Sequence, residues 1–134
     1  MFLLDTNTVS ELMKRNSHTW KKLLTEERNH IFLCEAVIAE LLFGLNLLKD
    51  DKRKNLLYHE LTPLLDTIEI LSWDRQTSRY FGEIKAGLMK KGKPIADLVI
   101  AIASCAFSHG CTLVTDNFSD FNRIEGLNLV NWKN

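Results

Sequence analysis

Short apolar runs alternate with longer segments of helical spacing along this chain, and that alternation restricts the fold more than any other feature. Five runs have the composition of buried β-strands: residues 2–4, 31–34, 68–71, 112–115 and 127–130. Strands separated by helices form βα units, whose strands run parallel and are covered by helices on both faces. The sequence therefore predicts an α/β fold with a five-stranded parallel sheet flanked by helices. A length of 134 residues fits one such domain, spanning 1–134.

The first two predicted helices are short. Thr6, Asn7 and Ser10 are candidate caps of a helix that follows the first strand. Ser17 is a candidate cap of the next helix, which has Trp20 on its apolar face. These two helices fill the chain between the first and second strands.

Four longer helices are predicted over residues 36–48, 50–66, 74–91 and 94–107. The first and last of them are apolar on almost every face, which is typical of buried helices. Pro63 is expected to kink or end the helix that contains it, and Pro94 suits the start of the last one. Gly110 is expected to end that helix.

Composition and charge exclude several classes of protein. Apolar residues make up 46% of the chain and charged residues 25%, which is typical of soluble globular domains rather than disordered or fibrous chains. The 17 basic and 17 acidic residues balance, so any contact with nucleic acid must come from local basic clusters. Cys34, Cys105 and Cys111 lack the paired spacing of disulfide frameworks and zinc sites, which predicts buried free thiols. With no basic leader segment, we expect a cytoplasmic protein that does not associate with membranes.

Three acids stand where the pattern calls for apolar residues. Glu40 is the only charge in 36–48, Asp97 is the only charge in 94–107, and Asp5 directly follows the first strand. Buried carboxylates are rare unless they are paired or bind a cation. Two carboxylates about 5 Å apart repel by about 3 kcal/mol at an effective dielectric constant near 20. If these acids converge, their oxygens favour Mg²⁺ or Mn²⁺ over zinc.

Two further acids, Asp116 and Asp120, follow the fourth predicted strand. The carboxyl ends of parallel strands meet at one edge of a sheet, which brings this segment to the same edge as Asp5. Each acid also has a purely structural interpretation. Asp5 and Asp97 would be favourable at a helix N-terminus, and Glu40 could face a groove or pair with a distant arginine. Asp116 or Asp120 would be ordinary in a turn.

Four segments resemble PIN-domain ribonucleases, and specifically the VapC toxins of bacterial toxin–antitoxin pairs. They are LLDTN at 3–7, AELLFG at 39–44, PIADLVIA at 94–101 and LVTDNFSDF at 113–121. Their order and spacing agree across nearly the whole chain. The resemblance implies a PIN-like single domain over 1–134. It further implies an Mg²⁺-dependent endoribonuclease, with Mn²⁺ as a substitute, that hydrolyses phosphodiester bonds in RNA, including transfer RNA.

The resemblance also implies roles for individual residues. Asp5, Glu40 and Asp97 would hold the metal, and a fourth acid would follow the fourth strand. The family pattern matches Asp120 better than Asp116 as that acid, although both stay candidates. The residues expected to orient the acids are Thr6, Asn7 and Asn117.

Substrate and partners are implied in the same way. A basic run without an intervening acid precedes Asp97 and consists of Lys85, Lys90, Lys91 and Lys93, and Lys14 and Arg15 follow the first helix. These clusters are candidate contacts for RNA phosphates, or alternatively solvated helix ends. The family further implies a homodimer and a cognate VapB-type antitoxin whose C-terminal segment enters the acidic groove. Trp20, Tyr80 and Phe81 are either anchors for such partners or parts of the core.

Three alternatives stay open on sequence alone. An aspartyl-nucleophile phosphatase would have an aspartate where Asn7 stands. A receiver-like domain would have one at the end of the third strand, where residues 71–73 are Leu, Ser and Trp. The third is a PIN fold that binds RNA without cutting it.

Overall fold

The structure is a computed structural model that describes residues 1–14 and 30–133. The helix predicted from Ser17, with Trp20, lies outside the described residues. The elements in chain order are β1 (Phe2–Leu4), α1 (Thr6–Leu12), β2 (Ile31–Cys34), α2 (Glu35–Leu47), α3 (Asp51–Thr67), β3 (Glu69–Leu71), α4 (Arg75–Lys90), α5 (Asp97–His109), β4 (Thr112–Val114), α6 (Phe118–Phe121) and β5 (Leu129–Val130).

The five strands form one parallel sheet in the order β3-β2-β1-β4-β5. The central strand is β1, whose Leu3 is in register with Phe32 on one side and Leu113 on the other. The predicted α/β fold with a five-stranded parallel sheet is therefore confirmed. Because all strands point the same way, the segments after β1, β2 and β4 emerge at one edge of the sheet.

The core lies on both faces of the sheet. Leu3, Leu4 and Leu33 from the strands are fully buried, and α5 adds an almost continuously buried run from Ile100 to Ala106. Small and β-branched residues in this run allow the helix to pack closely against the strands. The three cysteines are buried and free, as predicted. Within the described residues, no helix has both the length and the apolar character needed to cross a membrane.

Two helix starts differ from the prediction. The N-cap of α1 is Asp5, whose carboxylate accepts from the Thr6 amide, so the predicted caps Thr6, Asn7 and Ser10 lie inside the helix. The last long helix, α5, begins at Asp97 rather than Pro94. The Lys93 amide donates to the Leu88 carbonyl at 2.9 Å. This bond caps the C-terminus of α4. The chain before Asp97 is therefore part of the loop between the two helices and not the first turn of α5.

The prediction for Pro63 is partly wrong, because α3 does not end there but continues to Thr67. A proline removes only one amide donor, and the following turn supplies its own bonds. The Thr67 hydroxyl donates to the Pro63 carbonyl at 2.6 Å, and the Ile68 amide donates to the Leu64 carbonyl at 3.0 Å. By contrast, Gly110 ends α5 as predicted, with a φ of 66° in the left-handed region that favours glycine.

Candidate active site

The acids singled out in the sequence are distributed along the carboxyl-terminal edge of the sheet. Asp5 follows β1, Asp116 follows β4, and Glu40 lies on the helix that follows β2. Since α5 runs antiparallel to the strand it precedes, its N-terminus also reaches this edge. We call this surface the acidic edge and define it by five residues: Asp5, Glu40, Asp97, Asp116 and Asp120.

The prediction that acids occupy buried positions holds for Asp5 only. Asp5 is 5% exposed, whereas Glu40 is half-buried and the Asp97 side chain is 65% exposed. The expectation is wrong for Asp97 because α5 begins at this residue. An acid in the first turn lies at the helix end and points past the sheet, where it also interacts favourably with the helix dipole.

Asp5 is held by three hydrogen bonds. Its two carboxylate oxygens accept from the Thr6 amide and the Thr115 hydroxyl, each at 2.7 Å, and its own amide donates to the Val114 carbonyl at 2.9 Å. Its carboxylate is therefore fixed between the end of β1 and the end of β4.

Burial raises the pKa of Asp5 above its ordinary value. The two hydrogen bonds from Thr115 and Thr6 lower this pKa, while the negative charges of Glu40 and Asp116 raise it. The net direction is upward, so the ionised form of Asp5 is disfavoured here. A cation bound beside the carboxylate would reverse that balance.

Sequence reasoning did not single out Thr115. This residue is 1% exposed, and its hydroxyl both donates to Asp5 and accepts from the Asn117 amide at 3.0 Å. The available signal was a hydroxyl residue at the end of an otherwise apolar strand. Thr115 therefore connects the central acid to the acidic loop after β4.

The two acids in the loop after β4 have different hydrogen-bond partners. Asp116 accepts from the Asn7 side-chain amide at 3.1 Å and lies 3.6 Å from the Lys133 ammonium. Asp120 accepts from the Asn117 side-chain amide at 3.2 Å. The two asparagines thus orient one acid each, and only Asn7 reaches across from α1.

Asp97 has a cationic partner. The Lys85 ammonium of α4 lies 3.0 Å from an Asp97 carboxylate oxygen and 5.9 Å from the centre of the Phe81 ring. The structure therefore does not bring Asp97 into the hydrogen-bond network around Asp5.

The basic residues predicted to contact substrate are distributed unevenly. Lys90, Lys91 and Lys93 are exposed at the end of α4 and in the turn after it. Lys14 forms an ion pair with Glu11 at 3.0 Å, and it also lines the groove that contains Glu40. Arg15 lies outside the described residues.

The residues present fit a divalent cation by their chemistry. Thr6 contributes a buried hydroxyl oxygen that has no hydrogen-bond partner among the described residues. Beside it lies Asp5, a buried carboxylate near two further acids, and every one of these donors is an oxygen, as Mg²⁺ prefers. Within residues 1–14 and 30–133, however, no three acid, histidine or cysteine side chains converge closely enough to hold a metal ion. Mutual repulsion of the carboxylates favours this spread arrangement.

A groove of about 490 Å³ adjoins the acidic edge between α1, α2 and α3. Thr6 and Glu40 lie in its wall, so it opens beside Asp5. Most of its remaining lining is apolar, with Leu41, Leu45, Leu57 and Leu61 among the side chains. The groove therefore combines an apolar wall with an acidic end.

Comparison with known proteins decides the family. The family model described as "PIN domain" matches residues 2–127. "Ribonuclease VapC2" of Rickettsia felis is 33% identical over 134 residues, which cover 98% of each chain. This chain is a PIN domain of the VapC family. The "tRNA(fMet)-specific endonuclease VapC" of Salmonella typhimurium is 29% identical over 131 residues, 98% of this chain and 97% of that one.

Solved structures agree with this membership. The PIN domain matches the crystal structure of VapBC2 from Rickettsia felis bound to a promoter DNA fragment, with a TM-score of 0.83. The sequence identity is 28%, and 98% of each chain is covered. The resemblance found in the sequence is thereby confirmed, and the receiver-like and phosphatase alternatives lose their basis. The end of β3 also has no acid at residues 71–73.

Proposed function

We propose that this VapC-family chain is an Mg²⁺-dependent endoribonuclease, the toxin of a VapBC-type pair. Its substrate is RNA, and transfer RNA is the first to test because one relative is named a tRNA(fMet)-specific endonuclease. The observation that carries the proposal is Asp5, a buried carboxylate of raised pKa held between two strand ends. A cytoplasmic location follows from this substrate.

The proposed reaction uses each part of the acidic edge. Bound Mg²⁺, for which Mn²⁺ would substitute, supplies a Lewis acid that polarises the phosphate and lowers the pKa of water. Asp5 and Asp97 would hold the ion, while the Thr6 amide and the Thr115 hydroxyl keep the Asp5 carboxylate in its orientation. Glu40, or an acid after β4, takes the proton from the attacking water. Attack of the water oxygen on phosphorus would break the bond to the 3′ oxygen, which leaves with a proton taken from solvent, so the products carry a 5′-phosphate and a 3′-hydroxyl.

The acid after β4 is assigned by comparing two variants. The family pattern matches Asp120, whereas the bond from Asn7 and the electrostatic effect on Asp5 involve Asp116. In Asp116→Asn and Asp120→Asn the new side chain keeps nearly the shape of the aspartate, and each variant removes one negative charge. The variant with the larger loss of cleavage identifies the acid that acts in the reaction.

The central experiment incubates purified, antitoxin-free protein with end-labelled transfer RNA. The reactions contain wild type in Mg²⁺, wild type in EDTA, and Asp97→Asn in Mg²⁺. Asp50→Asn serves as the matched control, because Asp50 caps the exposed start of α3. We expect discrete cleavage by wild type and Asp50→Asn in Mg²⁺ only.

Two results would overturn this proposal. Cleavage that survives both EDTA and Asp97→Asn would show that the acids and the metal take no part. Products that carry a 2′,3′-cyclic phosphate would show that the RNA, rather than water, supplies the nucleophile.

The groove between α1, α2 and α3 supports a VapB-type antitoxin as partner. Its apolar wall suits a helical segment, and Glu40 at its end suits an arginine of that segment. We expect Leu45→Asp to abolish co-purification with the cognate antitoxin, and Tyr58→Asp, on the exposed outer surface of α3, to leave it unchanged. Co-purification with Leu45→Asp at the wild-type level would exclude the groove.

A homodimer is part of the same proposal. Phe43 and Leu47 lie one helical turn apart on α2 and are 62% and 64% exposed. Such an apolar stripe is typical of a surface that a second protein chain covers. Light scattering coupled to gel filtration should give twice the monomer mass of 15.4 kDa. A monomeric mass across the accessible concentration range would contradict this.

A further inference from the structure

Two ion pairs of the acidic edge join distant parts of the chain. Lys85 on α4 pairs with Asp97 at 3.0 Å, and Lys133 after β5 lies 3.6 Å from Asp116. The remaining ion pair between described residues, Lys14 with Glu11, is a local contact near the end of α1. Both long-range pairs therefore end on acids of the proposed site.

The backbone of Lys133 is fixed at the mouth of the site. The preceding residue, Trp132, is 3% exposed and packs edge-on against Phe2, with 5.3 Å between the ring centres. The Lys133 amide donates to the Asn131 side-chain oxygen at 2.8 Å. The Lys133 ammonium therefore lies at the carboxyl end of β5, beside the loop that contains Asp116.

Both ammonium groups are able to change partners. The Lys85 and Lys133 side chains are 40% and 53% exposed, and their acids are also accessible to solvent. Exposed ion pairs contribute little to stability, so breaking them costs little. Lysine places a mobile charge with three donors on a flexible stem, which suits a contact that is exchanged.

RNA can bind at the acidic edge only if positively charged groups offset its negative charge. Its five carboxylates repel an RNA phosphate, and one divalent cation offsets only two of those charges. The net charge of the whole chain is zero, so there is no overall positive potential to offset the repulsion between these carboxylates and the phosphate. Lys85 and Lys133 already place ammonium groups beside two of these carboxylates.

We propose that Lys85 and Lys133 bind the RNA phosphates next to the cleaved bond. Each lysine holds an acid while no divalent cation is bound. A cation held by Asp5 and Asp97 would displace Lys85 from Asp97, and its positive charge would weaken the pair of Lys133 with Asp116, so both ammonium groups become available to phosphate oxygens. This inference rests on the proposed ribonuclease function. Lys85 belongs to the predicted basic run, but unlike Lys90, Lys91 and Lys93 it forms an ion pair with a site acid among the described residues, and Lys133 was not among the predicted contacts.

The test measures binding of a short fluorescein-labelled single-stranded RNA by anisotropy, in Ca²⁺ and in EDTA, across a salt series. A gel confirms that the RNA stays intact. The variants are Lys85→Met and Lys133→Met, with Lys52→Met on the exposed start of α3 as the matched control. Lys85→Arg and Lys133→Arg retain the charge.

In Ca²⁺, each methionine variant should bind several-fold more weakly than wild type. The slope of log affinity against log salt should fall by about 0.7 for each RNA phosphate that the variant no longer neutralises. The decrease in affinity should be smaller in EDTA, because there the lysines are paired with Asp97 and Asp116. Lys52→Met and the two arginine variants should keep the wild-type slope.

The outcomes separate the two proposals. If wild type binds RNA and both methionine variants match it, the lysine contact is overturned and the ribonuclease proposal stands. Equal decreases in affinity in Ca²⁺ and EDTA would overturn the exchange of partners. If wild type binds no RNA in either condition, both proposals fail.

Discussion

The two ends of the acidic edge are built in opposite ways. Asp5 is buried, its pKa is raised, and it is held by bonds that join β1 to β4. Asp97 is exposed at the first residue of α5 and has one ion pair with a flexible lysine. The first acid is fixed by the fold itself, whereas the second is positioned by a contact that solvent and ions weaken.

This difference indicates a division of work within one site. A rigid carboxylate supplies a defined anchor for a cation, which is what preorganised electrostatic catalysis needs. In the proposed function, the exposed Asp97 carboxylate would be free to exchange its lysine partner for a cation. Substitutions at the rigid end should therefore change both stability and catalysis, and those at the exposed end catalysis alone.

The largest effect is expected from Asp5→Asn. Losing the central carboxylate should lower the cleavage rate by about 100- to 1000-fold, the range seen when one preorganised charge-stabilising group is removed. Initial rates with labelled transfer RNA in Mg²⁺ measure this. Asp50→Asn is the control, and a rate for Asp5→Asn within about threefold of wild type would remove Asp5 from the mechanism.

Thr115→Val should have the next largest effect, a loss of about 1–3 kcal/mol in the free energy of unfolding. The change leaves a buried carboxylate oxygen of Asp5 without its donor. Urea unfolding measures the loss. Thr8→Val is the matched control, because its buried hydroxyl donates to the Val114 carbonyl at 2.8 Å.

The comparison with Thr8→Val separates stability from the site. Both variants should lose stability, but only Thr115→Val should weaken Mn²⁺ binding, measured by calorimetry. Equal Mn²⁺ affinity in the two variants would show that Thr115 does not support the cation site.

A smaller effect is expected in the pH dependence of stability in EDTA. The pKa of Asp5 is raised above 3.8 in the folded state, so that state binds the proton more tightly than the unfolded chain. The stabilising contribution is complete below 3.8 and is lost as the pH rises through the folded pKa. The free energy of unfolding of wild type, minus that of Asp5→Asn, should therefore increase as the pH falls from about 7 towards 3.8. A flat difference, or one of opposite sign, would contradict the raised pKa.

The smallest effect is expected from Asp97→Asn on stability. Because the Lys85–Asp97 pair is exposed, losing it should change the free energy of unfolding by at most about 0.5 kcal/mol. Urea unfolding in EDTA measures this, and Lys85→Met should give the same small change. A loss well above about 1 kcal/mol would mean that the exposed end is also structural.

Much of the fold was predictable because its signals are local. The apolar runs marked all five strands, and βα alternation implied a parallel sheet, which the strand order confirms. The predicted bounds of α5 were wrong at its start because the Lys93 amide closes α4. That bond depends on where the preceding helix ends, which residue patterns do not fix closely.

The site was predictable in composition more than in geometry. Asp5, Glu40 and Asp97 stood out because charges interrupted apolar runs, and the structure brings all three to one edge. The difference in their exposure was not predictable, since it depends on which helical turns pack against the sheet and which extend beyond its edge. Thr115 and Lys133 were missed for a related reason: each contacts its acid, Asp5 or Asp116, across elements whose relative placement the residue pattern does not fix.

The bond from Thr115 to Asp5 joins residues 110 positions apart. The central strand β1 is made well before its neighbour β4. Contacts of such long sequence separation form late, and ribosomes add about 5–20 residues per second. In a growing chain, Asp5 is therefore made several seconds before Thr115, the residue that donates a hydrogen bond to its carboxylate. The fixed position of Asp5 thus depends on a strand that is made long after the acid itself.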